Sequence, residues 1–346
     1  MSELAVGELR RLAVGLLVGC GVPSDHAERT ASILVLADVW GRTSHGLMRL
    51  PYYLARLHAG GCRPDAQLVA GNDTGPVVVY DGGNGLGHWQ VWEAAQAAAK
   101  RCAEYGISAV AVSNSSHCGA LATYVYPMID AGQVGLVFST GPAVMPPWGG
   151  STPVLSTSPL AAGVPSRPEP IVVDMATSAV ARGRIAAAAQ AGRPVPEGWA
   201  LAPDGSPTTD PVIALRGMLA PLGGAKGYAL ALLVESLTAG LVGPLLAAQV
   251  PDMFDAEDDA KPQGIGHLVI ALDPARFGID GTGDGSGTRL DELAARVHEA
   301  GGRIPGAGRV APTALGDEVR VAVAPETLER LRQWAERLGG VDSAAL

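Results

Sequence analysis

Val77-Val78-Val79-Tyr80-Asp81-Gly82-Gly83-Asn84-Gly85-Leu86-Gly87-His88 is the stretch on which the fold turns. A β-branched run, a glycine-rich turn and an alanine-rich segment from Trp89 to Tyr105 predict strand, turn and helix. That order tempts a Rossmann dinucleotide reading. The spacing opposes it: after Gly83 and Gly85 the third fingerprint position falls on His88, where the motif needs a glycine for close helix–strand packing. The turn is therefore read as structural.

Upstream, residues 4–60 read as helical. Val6, Leu9, Leu12, Ala13, Leu16, Leu17 and Cys20 form an i, i+3, i+4 stripe. Gly21 can cap it, and Pro23, Ser24 and Asp25 can start a second helix through Ala31, Leu34, Val35, Ala37 and Asp38. A third begins at Pro51. Arg10-Arg11 ahead of Leu17-Val18-Gly19-Cys20 also looks like a lipoprotein cleavage site. The short apolar run and the early Glu3 and Glu8 favour the helix.

Downstream, Ile107–Val112 reads as a strand, followed by a polar loop, a helix near Gly119 and a strand over Gln133–Ser139. Residues 141–170 predict loops and short strands. Ile171–Asp174 reads as a strand running into a helix at Thr177 or Ser178, then a long Pro/Gly loop over 192–211. Tyr228–Leu241 is apolar enough to predict a buried helix. A strand at His267–Asp273, a glycine-rich loop over 278–287 and helices at Leu290–Ala300 and Pro325–Leu338 complete the chain.

The 346 residues suffice for two or three domains. Acidic residues outnumber basic ones, 34 to 25, and no Lys/Arg run is interleaved with aromatics, so no nucleic-acid partner is expected. No apolar stretch approaches the ~20 residues of a membrane span, so no membrane association is expected. Cys20, Cys62, Cys102 and Cys118 are scattered, with no C-x-x-C, which excludes a zinc knuckle and suits a reducing, cytoplasmic location. No metal is expected.

Three clusters can carry chemistry. In Ser44-His45-Gly46-Leu47-Met48-Arg49-Leu50-Pro51-Tyr52-Tyr53, continuous helix would put His45, Arg49 and Tyr53 on one face, although Pro51 favours a new helix start. Arg holds a carboxylate through two parallel hydrogen bonds, His exchanges a hydroxyl proton near neutrality, and Tyr can bond a substrate. On spacing alone the trio reads more readily as an ordinary surface helix edge. Ser113 to Gly119, between strand and helix, puts His117 in a strand-end loop, either a reacting group or a capped turn. Gly223-Gly224-Ala225-Lys226-Gly227 is a phosphate contact at a helix start or a plain flexible turn; it is no P-loop, since no Ser or Thr follows Gly-Lys.

Taken in order, the motifs resemble the malate/L-lactate dehydrogenase family of the second type. The carriers are Ala37-Asp38 with Ser44-His45-Gly46 and Arg49; Ser116-His117 with Gly119; Pro147-Trp148-Gly149-Gly150; Asp174-Met175-Ala176-Thr177; Pro207 to Pro211; Lys226-Gly227-Tyr228; and Arg303-Ile304-Pro305-Gly306. The resemblance spans about residues 5–325. It implies an α+β, non-Rossmann, sulfolactate-dehydrogenase-like fold. A helical part (1–72 and 288–346) would come from both chain ends, beside a mixed α/β part (73–127 and 215–287), with a cofactor-binding part (128–214) inserted. It implies a homodimer, NAD or NADP as cofactor, and a small carboxylic acid as substrate.

The matching positions imply catalytic roles for His45, His117 and Ser44, and substrate contacts for Arg49 and Tyr53. Cofactor contacts fall on His117, Gly119, Ala120, Leu121, Thr140, Asp174, Met175, Ala176, Lys226, Pro305, Gly306 and Ala307. Members differ in which histidine is the acid/base; His45 is favoured here because it adjoins the carboxylate clamp. Ser158 stands where members usually have Asn. Ala307 stands where many have an acid. Arg184 stands where the cyclic-ketimine branch has an acid. The expected activity is hydride transfer between NAD(P)H and the alpha carbon of a 2-oxo or 2-hydroxy acid. The alternatives are reduction of a cyclic ketimine carboxylate and a non-catalytic ligand-binding homologue.

Overall fold

A computed structural model describes residues 2–253, 255–278 and 284–340. Its strands are β1 (Ser2–Ala5), β2 (Val69–Asp73), β3 (Val77–Asp81), β4 (Ile107–Ser115), β5 (Val134–Ser139), β6 (Leu160–Val164), β7 (Ile171–Met175), β8 (Ala200–Leu201), β9 (Pro207–Thr208), β10 (Met218–Leu219), β11 (Ile265–Leu272) and β12 (Arg320–Val323). Its α-helices are α1 (Val6–Gly19), α2 (Ser24–Val39), α3 (Leu50–Ala59), α4 (Gly87–Tyr105), α5 (Tyr126–Asp130), α6 (Arg182–Gln190), α7 (Pro211–Arg216), α8 (Ala225–Glu235), α9 (Asp284–Glu299) and α10 (Pro325–Leu338).

The central sheet has seven strands in the order β2-β3-β4-β11-β5-β6-β7. Among the described residues its one parallel pair is β3 with β4, joined by α4. The Val77–Tyr105 stretch is thus a single βαβ unit inside an otherwise antiparallel sheet. Its turn is structural: Asp81 accepts from Gly83 N at 2.9 Å, and Gln90 Nε2 donates to Gly82 O at 2.6 Å. Gly87 is required because a Cβ there would lie 2.0 Å from the Ser116 carbonyl. Helix α4 therefore presses directly on the loop that carries His117.

Among the described residues the hydrophobic side chains gather in three cores. The first joins the two chain ends: the α1 stripe and Leu50, Tyr53 and Leu54 of α3 pack with Val321, Val323, Leu331 and Trp334. The second lies between α4, α5 and the large sheet, through Val78, Ala95, Val110, Tyr124 and Val269. The third is built from Met145, Leu155, Ile185, Ala200, Ala214, Leu219 and Ala231. The segment 128–214 divides between the last two, because β5, β6 and β7 extend the large sheet.

Several elements differ from the sequence reading. The start of the 4–60 region is a strand: β1 pairs antiparallel with β12, an association of chain ends that local periodicity cannot report. Strand β2 was not anticipated; its residues are all exposed, so no alternation marks it. The helix expected at Thr177 or Ser178 begins only at Arg182, because Ser178 bridges to Pro221. The 192–211 loop contains β8 and β9, which pair in a three-stranded sheet with β10. Near Gly119 the chain makes a 3-10 turn over Leu121–Val125 and then the short α5. Helix α9 starts at Asp284 rather than Leu290, and residues 279–283 of the expected glycine-rich loop lie outside the described residues.

The apolar Tyr228–Leu241 helix is not buried throughout. It starts at Ala225 and passes into a π-helical turn at Ser236–Gly240. Ala231 and Val234 face inward, while Leu232, Leu233 and Leu241 are 45, 53 and 71 % exposed. Among the described residues no helix is long and apolar enough to cross a membrane.

Candidate active site

His45 and Arg49 do not share one helix. Residues 43–45 and 47–49 form two 3-10 turns, and α3 begins at Leu50 with Pro51 in its first turn, as the proline geometry requires. The turns are pinned by Asp38 at the end of α2, whose buried carboxylate accepts from Leu47 N at 2.8 Å. A Cβ on Gly46 would sit 2.2 Å from Asp38 Oδ1, so only glycine fits there. Burial raises the Asp38 carboxyl to about 6, against the pull of the Leu47 N–H. Arg49 Nε donates to Ser44 O at 3.3 Å, and Ser44 Oγ lies 3.0 Å from His45 Nδ1.

The second half of the site comes from the loop after β4. The rings of His45 and His117 stack at 22° with centroids 5.9 Å apart. Tyr53 reaches across from α3, its hydroxyl 2.7 Å from His117 Nδ1, and Gly119 N lies 3.3 Å from the same nitrogen. A backbone N–H can only donate, so Nδ1 is the acceptor, Tyr53 donates to it, and the neutral ring carries its proton on Nε2. Gln263 Oε1 accepts from His117 N at 3.0 Å, while Gln263 Nε2 donates to Tyr52 Oη at 3.2 Å.

Two more histidines stand behind this layer. His267 on β11 donates from Nε2 to the Ser116 carbonyl at 3.1 Å and is fully buried. His88 at the start of α4 is also fully buried; it meets the Tyr53 ring edge-on at 4.6 Å, and neither of its nitrogens has a hydrogen-bond partner among the described residues. All four rings are held neutral. Burial is the chief cause, lowering His45 and His267 to about 4 and His88 to about 3, and putting His117 well below the usual histidine range. Arg49 and then Arg42 add to the effect at His45.

Several of the other expected positions are joined through β7 and the chain that follows it. Asp174, at the end of β7, accepts from the Ala122 backbone; burial raises its carboxyl, while Arg309, the Ala122 bond and Arg42 oppose. Val172 N donates to Pro305 O at 2.8 Å, which lays the Pro305–Ala307 turn against β7. Leu222 N donates to Thr177 O at 2.8 Å, bringing the glycine turn before Lys226 to the chain just after Met175 and Ala176. Thr140 is engaged elsewhere: its hydroxyl donates to the buried Glu235 carboxylate at 2.6 Å. Ser158 has φ +38°, left-handed backbone that Asn tolerates better than Ser.

The sequence reading missed Gln263, His88 and His267 as neighbours of His117. Gln263 follows Lys261-Pro262 and carries no motif. His88 was noticed only for breaking a glycine spacing.

A cavity of about 500 Å³ opens between the end of α2 and the Arg303–Val310 turn, lined by Trp40, Arg42, Arg303, Gly306, Ala307 and Arg309 among others. No Asp or Glu lines it, so its chemistry suits the phosphates of a dinucleotide. Arg42 links it electrostatically to His45. Among the described residues no group of His, Cys, Asp and Glu is arranged to hold a metal ion.

Comparison with known proteins gives a consistent result. A family model described as malate/L-lactate dehydrogenase matches residues 4–332. The (2R)-3-sulfolactate dehydrogenase (NADP(+)) of Chromohalobacter salexigens is 39 % identical over 330 residues, covering 92 % of this chain and 97 % of that one. The Delta(1)-pyrroline-2-carboxylate reductase of Ancylobacter novellus is 37 % identical over 277 residues, covering 80 % and 81 %. Among solved structures, the sulfolactate dehydrogenase of Methanocaldococcus jannaschii superposes with a TM-score of 0.89 at 29 % identity, covering 99 % of each chain.

Proposed function

The chain belongs to the malate/L-lactate dehydrogenase family, and on that premise we propose that it transfers a hydride between NAD(P)H and the alpha carbon of a small 2-oxo or 2-hydroxy carboxylic acid. The observation that carries this reading is the pairing of two neutral histidines beside Arg49, with His117 fixed in one tautomer by Tyr53 and Gly119. The nicotinamide, when bound, supplies or accepts the hydride. The antiparallel sheet supports a non-Rossmann fold, and the core joining both chain ends supports a helical part built from the termini.

Arg49 holds the substrate carboxylate through its two-pronged guanidinium. His45 exchanges the proton of the substrate oxygen. Its lowered pKa keeps it neutral at ordinary pH, so the ring is free to accept the hydroxyl proton during oxidation of a 2-hydroxy acid. In the reverse direction the bound carboxylate beside His45 stabilises the imidazolium that returns the proton. His117, with its proton on Nε2, is a fixed donor to the same oxygen. Ser44 orients His45. Tyr53 acts through His117 as a positioning residue.

Positions His117 to Leu121, Asp174 to Ala176, Lys226 and Pro305 to Ala307 form our cofactor assignment, with Thr140 acting through Glu235. Reduction of a cyclic ketimine carboxylate is the second reading, supported by the named activity of the Ancylobacter relative. The same carboxylate clamp would serve it, but Arg184 replaces the acid expected in that branch. A panel of 2-oxo acids and cyclic imines, followed by absorbance of NADH and NADPH, tests both. Oxidation of reduced nicotinamide by a 2-oxo acid is expected, by an imine alone favours the second reading, and by none refutes catalysis.

We also infer a homodimer in a reducing cytoplasm. Leu232 and Leu233 of α8 and Leu241 beyond it are exposed, and a second copy of the chain is the occupant we assign to them. The four cysteines are unpaired. Light scattering at micromolar concentration should give a dimer, and Leu233→Glu should give a monomer. A monomeric parent protein refutes the assembly.

A further inference from the structure

We propose that the arginine-lined cavity beside Pro305–Ala307 recognises the 2′-phosphate of the dinucleotide, making the enzyme selective for NADPH over NADH. The inference rests on the proposed nicotinamide chemistry and specifies which form of the cofactor the site takes.

Three separate segments deliver the cations. Arg42 follows α2 and immediately precedes the 3-10 turn of His45, whereas Arg303 and Arg309 bracket the Pro305–Ala307 turn. Arg42 and Arg303 are exposed, and Arg309 is half-buried with its guanidinium 5.4 Å from the Trp40 ring centroid. The indole is itself fixed by donating to the Val310 carbonyl at 3.0 Å. Among the described residues none of the three guanidinium groups makes an ion pair or a hydrogen bond. Asp174 feels Arg309 and Arg42 at a distance but is not in contact with either.

The remaining lining is apolar side chain and glycine backbone. That inventory discriminates between the two dinucleotides. The free ribose 2′-hydroxyl of NADH is best recognised by a carboxylate, and none lines this cavity. A phosphomonoester brings about two negative charges and only acceptor oxygens, and here it meets only donors.

The test is direct binding, with no turnover. NADPH and NADH are titrated into the intact protein by nicotinamide fluorescence, and 2′,5′-ADP and 5′-AMP by calorimetry, at low and high salt. Charge-assisted hydrogen bonds correspond to roughly 10- to 100-fold in affinity, so NADPH and 2′,5′-ADP should bind at least about tenfold tighter than their counterparts. The advantage should shrink with salt. Arg303→Ser, on an exposed turn, should lose about tenfold for NADPH and little for NADH. Equal affinity for the two dinucleotides overturns the inference while leaving the oxidoreductase reading intact. Equal weakening of both by Arg303→Ser also overturns it, because the cavity would then hold the shared pyrophosphate. Binding of neither dinucleotide overturns the cofactor reading itself. The fragment comparison needs no variant, so a misfolded mutant cannot rescue the claim.

Discussion

Replacing Tyr53 with Phe removes a single oxygen from the centre of the site and leaves the ring that packs against His88. Tyr53 is buried, and its hydroxyl donates to His117 Nδ1 at 2.7 Å. A neutral hydrogen bond of this kind contributes about 0.5–1.5 kcal/mol net. Without it Nδ1 retains only the longer Gly119 N–H contact at 3.3 Å, so the other tautomer becomes accessible. If His117 must present Nε2–H, losing that preference lowers kcat by up to about tenfold, since roughly 1.4 kcal/mol is a factor of ten. Nδ1 acceptance also favours the neutral ring, so its removal should raise the His117 pKa from its depressed position. Steady-state kinetics of 2-hydroxy acid oxidation measure the loss in kcat. A rise in KM with unchanged kcat would refute the positioning role and return Tyr53 to substrate contact.

Other substitutions divide the roles further. Arg49→Lys keeps charge but loses the two-pronged geometry, so KM should rise roughly 10- to 100-fold and more than kcat falls. His45→Ala should lower kcat by about 10²–10⁴ with dinucleotide affinity unchanged; if His117→Ala shows that loss instead, the two histidines exchange roles. Gly46→Ala drives a Cβ into the Asp38 carboxylate, so thermal unfolding should reveal a loss of about 1–3 kcal/mol together with lost activity. Stability should also depend on pH. His88, His45 and His267 titrate in the fold near 3 to 4 but near 6.5 when unfolded, so between those values the unfolded chain binds more protons. Their stabilising effect is whole above about pH 6.5 and is lost as pH falls towards 4; a melting temperature that does not fall over this window would contradict their neutral burial.

Local pattern reported what local physics controls. The α1 stripe, the Val77 strand, the alanine-rich α4 and the β11 run all lie close to where periodicity put them. The β1–β12 pair was invisible because its two partners lie at opposite ends of the chain. The hydrophobicity of α8 was read correctly, but apolar character cannot say whether a core or a partner covers it. At the site, the residues carrying group-specific chemistry, His45, Arg49, Tyr53 and His117, stood out by type and spacing. Gln263 and His267 did not, since they reach the backbone of His117 and of Ser116 from the loop before β11 and from β11 through tertiary contact. Pro51 gave a correct warning: His45 and Arg49 lie on broken 3-10 turns, and Asp38 supplies the order that a continuous helix would have given.

The central claim is that a hydride passes between the nicotinamide and the alpha carbon of a small 2-oxo acid held by Arg49. Its most direct test is to run the reduction with nicotinamide cofactor deuterated at its transferring ring carbon and to locate the label by mass spectrometry and NMR. One deuterium at the alpha carbon of the 2-hydroxy acid product, with deuterium-free solvent as the source of the hydroxyl proton, is the predicted result. Product with hydrogen at that carbon, or cofactor that keeps its label in the presence of every 2-oxo acid tried, would contradict the account.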